Sequence, residues 1–247
     1  MAWNGLEGVE LGIEERVRRA YELLKPLPLN LEEFVVAHAS TLFERLVAVM
    51  LSQNTSDKQA IRALENLRRL LGKPLTPESL LETSLEEIAA AIRPVGMQWR
   101  RARNLQALAR EVAARPSLLE EVEKLSVEEA RRVLMKLPGV GPKTADVILL
   151  TMGKPTFPID THISRLAPRL LGLRELGYEE FRRLVMAALR SAELLRELHW
   201  KMIVVGRRWC RPRRPACSEC PLRIVCVHAA TSLETGGVAD RRDPQST

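Results

Sequence analysis

Aromatic residues make up only 4% of this 247-residue chain, which leaves little for the stacking platforms that hold extended single strands. No run approaches the roughly 18 apolar residues that a membrane-spanning helix needs, and the N-terminus carries no basic segment followed by an apolar one. A soluble, intracellular, non-exported protein is therefore expected, one that would sit in the cytoplasm or nucleoid of a prokaryote. No stretch alternates convincingly with period two, and no internal repeat emerges. Cysteine is confined to four residues, all between Cys210 and Cys226.

What is present is helical periodicity. Ile13, Val17, Ala20, Tyr21 and Leu24 predict a helix that Pro26 and Pro28 close. Thr41 to Leu51 is apolar over so wide a surface that a helix buried on most sides is expected. It runs into the polar loop Ser52-Gln53-Asn54-Thr55-Ser56-Asp57, where Asp57 can cap a helix from Lys58 to Leu71. Thr76 with Pro77, Ser84 with Glu87, and Ser126 with Glu129 read as further helix starts. After Gly96-Met97 another helix places Trp99, Ala102, Leu105, Leu108 and Val112 on one face, and later patterns run near Tyr178 to Leu189 and Ser191 to Val205. The fold class is all-α. A hydrophobic content of 46% can fill one large core or two modest ones. The net charge of +7, carried mostly by arginine, suits phosphate contact, although excess positive charge alone does not prove a nucleic-acid partner.

The stretch Leu137-Pro138-Gly139-Val140-Gly141 separates two helical patterns, Ser126 to Lys136 and Pro142 to Met152. Its glycines allow positive φ, and bare backbone N–H groups at a helix N-terminus can hold a phosphate. The plain alternative is a tight connection that binds nothing. Thr144 and Pro142 stand where a dinucleotide fingerprint and a P-loop would each need glycine. Lys143 falls in the first helical turn, where the dipole disfavours a cation and so favours a neutral, nucleophilic amine. Asp160 precedes the pattern Ile163, Leu166, Leu170 as a helix cap. An ionised carboxylate is also what an oxocarbenium-like transition state needs beside it. The cysteines have the spacing C-x6-C-x2-C-x5-C. In a reducing interior disulfides are disfavoured, and four thiolates suit either zinc or an iron-sulfur cluster, which spacing does not separate.

LPGVGPKTA followed by IDTHISR resembles the helix-hairpin-helix and aspartate signature of the endonuclease III family of DNA glycosylases, and the cysteine spacing resembles that family's 4Fe-4S loop. The resemblance runs from about Ile13 to Cys226. It implies two helical lobes with double-stranded DNA in the cleft, one from 34 to 150 and one from 1–33 plus 151–229. Residues 230–247 are then expected to be a polar, mobile tail. It further implies that Lys143 is the catalytic lysine and Asp160 the catalytic aspartate, facing each other across that cleft. Gly139, Val140 and Gly141 would hold the DNA backbone. Either Gln53 or Asn54 would fill the gap left by an extruded base, Met97 would be an apolar wedge, and Arg213 and Arg214 would touch phosphates. Cys210, Cys217, Cys220 and Cys226 would hold a 4Fe-4S cluster of structural role, with His228 an ordinary surface residue.

The implied activity is that of a monomeric, bifunctional glycosylase and lyase acting on oxidised pyrimidines. Three rivals are a mismatch-specific glycosylase for thymine, uracil or adenine, a helix-hairpin-helix binding module without activity, and an iron-sulfur electron carrier. The first generally lacks a lysine at the position of Lys143. The second has no need for Lys143 and Asp160 together, and the third leaves the hairpin and basic surface unexplained.

Overall fold

A computed structural model describes residues 11–234. The chain divides into two compact units, one spanning Leu29–Pro158 and the other joining the residues up to Pro28 to those from Ile159 onward. Helices α1 (Ile13–Leu24), α2 (Leu42–Ser52), α3 (Asp57–Leu71), α4 (Pro77–Glu82), α5 (Leu85–Ala91), α6 (Gln98–Ala114), α7 (Leu118–Lys124), α8 (Val127–Leu134), α9 (Pro142–Thr151), α10 (Thr161–Leu171), α11 (Tyr178–Leu189), α12 (Ala192–Arg208) and α13 (Val227–Glu234) follow in order. Among the described residues there is no strand, in keeping with the all-α expectation. No described helix is long and apolar enough to cross a membrane.

The Leu29–Pro158 unit is built around α2, which packs against α3, α6 and α9. Eight residues of α2 are buried, among them Leu46, Val47, Ala48 and Leu51, so it is enclosed nearly all round, as its composition predicts. Helices α4 and α5 lie on α6, and α8 joins α9 through the glycine turn. Side-chain caps start these helices: Thr41 for α2, Thr76 for α4, and capping boxes at Ser84–Glu87 and Ser126–Glu129, each worth about 1 kcal/mol. The cap of α3 differs from expectation. Ser56 accepts from the Gln59 amide, while Asp57 Oδ1 accepts from the Val35 amide at 2.9 Å. Asp57 is drawn away from its own helix because the loop before α2 needs an acceptor.

Glu44, in the first turn of α2, is fully enclosed. Its carboxylate accepts from Ser40 N and Oγ at 2.8 and 2.7 Å, from Leu75 N at 3.1 Å, and from Arg68 Nε and Nη2 at 3.0 and 2.9 Å. Burial would raise its pKa, but Arg68 and the Ser40 and Leu75 donors outweigh it and hold the carboxyl at about 2.

In the other unit α10 packs on α12 and α13, and α1 on α11 and α12. Gly206 lets α12 approach α10: a Cβ there would stand 2.6 Å from His162 Cβ. Helix α13 corrects the expected tail. Residues 230–234 are helical, with Ala229 and Ala230 buried. Val227 packs over Gly172, where a Cβ would clash at 2.7 Å. The small residues Ala229 and Ala230 are what bring this short helix onto the core. Residues 235–247 lie outside the described residues.

Candidate DNA-binding and catalytic site

The glycine turn is built by its conformation. Gly139 has φ +77°, where any side chain is strained, and a Cβ there would lie 2.6 Å from Met50 Cε, so the Met50 side chain would have to shift as well. The Val140 amide donates to Leu137 O at 3.1 Å and its side chain is buried. This qualifies the expectation for Val140: its N–H closes the turn and its side chain anchors it. The exposed positions are Gly139 and Gly141, and among the described residues neither amide donates to a backbone carbonyl. Pro142 then starts α9.

Every residue of α9 from Thr144 to Leu150 is buried, whereas Lys143 is half-buried. The amine therefore extends from a rigid, enclosed helix directly behind the turn. Beneath the hairpin, Arg131 of α8 donates Nε to both oxygens of Asp146 on α9 at 3.1 Å, and Thr156 Oγ1 donates to Asp146 Oδ1 at 2.7 Å. Asp146 is fully enclosed. Sequence reasoning missed this brace. Its only signal was an acidic residue inside the apolar run Ala145-Asp146-Val147-Ile148, a place that demands a partner.

The two candidate gap-filling residues are separated by the structure. Gln53 Nε2 donates to Gly139 O at 3.1 Å and to Thr144 Oγ1 at 3.3 Å, so this side chain is engaged with the hairpin. Asn54 is exposed and left-handed, with φ 53°. Met97 caps α6 in the left-handed conformation, φ 47°, and is 50% exposed. Trp99, expected on the inner face of α6, is instead 46% exposed. Arg101 takes the inward place in that first turn, and the buried face runs through Ala102, Leu105, Leu108, Ala109 and Val112.

In the other unit Asp160 caps α10, its Oδ1 accepting from the Ile163 amide at 2.8 Å, and it is only half-buried. Beside it, burial lowers the pKa of His162, an effect that Asp160 opposes and Arg207 and Arg165 reinforce.

All four cysteines are free thiols lining one hollow, together with Leu166, Trp209 and Leu222. His228 lines it too, which corrects its assignment to the surface. The start of α13 turns this side chain inward, and burial lowers its pKa. Burial likewise pushes the Cys217 and Cys226 thiols up and Cys220 to about 11, so thiolates here need a cationic occupant. No group of three or more His, Cys, Asp or Glu among the described residues is placed to hold a single metal ion. Three arginines brace the loop. Arg169 donates to Arg211 O at 2.8 Å, to Pro212 O at 3.1 Å and to Cys210 Sγ at 3.4 Å. Arg165 reaches Cys210 O at 2.8 Å and Arg16 reaches Val225 O at 2.5 Å. Arg213 and Arg214 are exposed.

Comparison with known proteins places this geometry. Residues 47–191 match the family described as HhH-GPD superfamily base excision DNA repair protein. Endonuclease III of Sulfolobus acidocaldarius is 33% identical over 206 residues, covering 83% of this chain and 90% of that protein. Two solved structures superpose with TM-scores of 0.74: a trapped endonuclease III–DNA covalent intermediate, 28% identical and covering 90% of this chain and 100% of that one, and a non-covalent endonuclease III–DNA complex, 29% identical and covering 91% and 99%. With its glycine hairpin and this extent of likeness, the chain belongs to the endonuclease III family within the HhH-GPD superfamily of base excision DNA repair proteins.

Proposed function

We propose that this base excision repair glycosylase and lyase removes oxidised pyrimidines from duplex DNA with Lys143 as nucleophile and Asp160 as the accompanying carboxylate. The observation that carries the reading is the placement of Lys143. Its amine leaves the enclosed helix α9 two residues after the turn whose Gly139 and Gly141 amides can take a DNA phosphate. Extrusion of the base costs a few kcal/mol, least for pairs already weakened by damage. Lys143 Nζ forms a bond to the sugar C1′ as the glycosidic bond breaks, and that bond's electron pair leaves with the base, which takes up a proton. The amine loses a proton and the ring opens to a C1′ Schiff base. Its electron-withdrawing iminium acidifies C2′, and loss of a C2′ proton expels the 3′ phosphate. Asp160, held by the Ile163 amide, offsets positive charge developing on the sugar.

Of the two gap-filling candidates, Asn54 is the one we assign, because Gln53 is occupied by the hairpin while Asn54 is exposed. Met97 is the apolar wedge, and Arg213 and Arg214 make phosphate contacts. Cys210, Cys217, Cys220 and Cys226 would hold a 4Fe-4S cluster. Four thiols round one hollow supply the donor set such a cluster takes. When bound, the cluster supplies iron–thiolate bonds that tie the loop together. The mismatch-specific alternative is not favoured, because the relatives named above are endonucleases III.

The test is borohydride trapping with duplex containing thymine glycol. Wild type should form a covalent complex and Lys143→Ala should form none. Trapping that survives in Lys143→Ala, or that is absent from wild type, would overturn the role of Lys143.

A further inference from the structure

Two non-glycine residues of the Leu29–Pro158 unit, Asn54 and Met97, are left-handed, with φ 53° and 47°. Such conformations persist only where their surroundings over-determine them. The carbonyl preceding each is bound by one and the same side chain. Arg101, 7% exposed on α6, donates Nε to Gly96 O at 3.0 Å and Nη2 to Gln53 O, while Nη1 reaches Met50 O at 2.8 Å in the last turns of α2. Its three partners are all carbonyl oxygens. Burial lowers its pKa, and the neighbouring Arg100 lowers it further. A buried guanidinium facing carbonyls rather than a carboxylate is an expensive way to fill a core position. What arginine adds over an apolar residue is a planar fork that fixes three peptide units at once.

We infer that Arg101 is a positioning residue for base extrusion, clamping the Gln53–Asn54 and Gly96–Met97 peptides so that gap-filler and wedge are presented as one preset pair. The inference rests on the reading of Asn54 and Met97 given under the proposed function. It explains why both loops keep a strained residue without glycine: the same fork that satisfies their carbonyls prevents the peptides from relaxing. It also links the pair to the hairpin, because the Gln53 peptide held by Arg101 belongs to the residue whose side chain bonds Gly139 and Thr144.

Full-length wild type, Arg101→Lys and Arg101→Met are compared in single-turnover reactions on two duplexes of one sequence. One carries thymine glycol in a pair, the other a preformed abasic site, which has no base to extrude. A 2-aminopurine next to the lesion reports unstacking. Base release by Arg101→Met should fall about 10- to 100-fold, the cost of a small misplacement of groups that must act together. Brightening of the 2-aminopurine should slow in step, and cleavage at the abasic site should change little. Arg101→Lys, which keeps the charge but reaches fewer carbonyls, should fall between. Equal losses on both duplexes, or no loss on either, overturn the clamp.

If Arg101→Met does not fold, Arg101→Lys carries the comparison. If neither folds, Arg101 is a structural support and the positioning role is overturned. Wild-type inactivity on both duplexes would instead sink the glycosylase and lyase reading and the inference with it, whereas an active wild type with equal losses in the variants overturns the inference alone.

Discussion

Glu44→Gln keeps the shape of a fully enclosed side chain and removes its charge. The folded carboxyl is held at about 2 against an ordinary value of 4.5, a gap that corresponds to about 3 kcal/mol at about 1.36 kcal/mol per pH unit. Because the folded pKa is the depressed one, this stabilisation is complete above about pH 5 and is lost as the pH falls through 4.5 toward 2. At pH 3 about 1 kcal/mol of it remains. Urea unfolding followed by circular dichroism measures the difference. With a slope of about 2 to 3 kcal/mol per molar, wild type should exceed Glu44→Gln by about 1 M in midpoint at pH 7, and by about a third of that at pH 3. Arg68 also pairs with Glu65 at 2.7 Å, so the variant retains one partner for the guanidinium and should still fold. The reasoning fails if the gap between the two proteins is the same at both pH values, since a pH-independent loss would come from packing and not from the carboxylate.

Asp146→Asn should lower stability by about 1 to 3 kcal/mol, the cost of exchanging a buried carboxylate acceptor of Arg131 and Thr156 for a neutral amide, and should weaken duplex binding in a gel-shift assay because the brace between the two hairpin helices is weakened. Gly139→Ala forces a left-handed alanine, about 1 to 2 kcal/mol, against Met50 Cε; duplex affinity should fall while far-UV circular dichroism stays helical. Cys220→Ser should reduce the iron content of the purified protein by elemental analysis and lower its melting temperature, while an unchanged iron content would remove Cys220 from the ligand set.

The fold was legible wherever a local rule governs it. Thr76, Ser84, Ser126 and Asp160 each cap the helix that their residue types announce, because a cap and its amide lie within three residues of each other. The hairpin was legible for the same reason, since its glycines and Pro142 act within one turn. Trp99 was misplaced because periodicity gives the spacing of a face but not where the covering helices end. Asp57 was misread as a cap because its true partner, the Val35 amide, is distant in sequence. The choice between Gln53 and Asn54 was open for a like reason: Gln53 is held by Gly139 and Thr144, far along the chain.

The charged groups that sequence reasoning missed have a common physical cause. The hairpin and the Gln53–Asn54 and Gly96–Met97 loops leave glycine or polar groups facing outward, and the cysteine loop turns its thiols into a hollow, so these segments have few apolar side chains with which to pack. Their backbone carbonyls also lack the partners that a helix provides, and a buried carbonyl without a donor is costly. An arginine solves both problems, because its alkyl stem packs in the core and its fork satisfies several carbonyls at once. Arg101 does so for Met50, Gln53 and Gly96, Arg165 for Cys210 and Gly206, and Arg169 for Arg211 and Pro212. The strongly basic composition then has two parts: exposed arginines such as Arg213 and Arg214 that can meet phosphate, and arginines whose forks are held by carbonyls, Arg101 buried and Arg165 and Arg169 half-buried. The net charge of +7 therefore overstates the cation density of the DNA-facing surface. The salt dependence of duplex binding should accordingly report fewer phosphate contacts than the arginine count suggests. A slope that requires Arg101, Arg165 and Arg169 to be counted would show that these side chains leave their carbonyls when DNA binds.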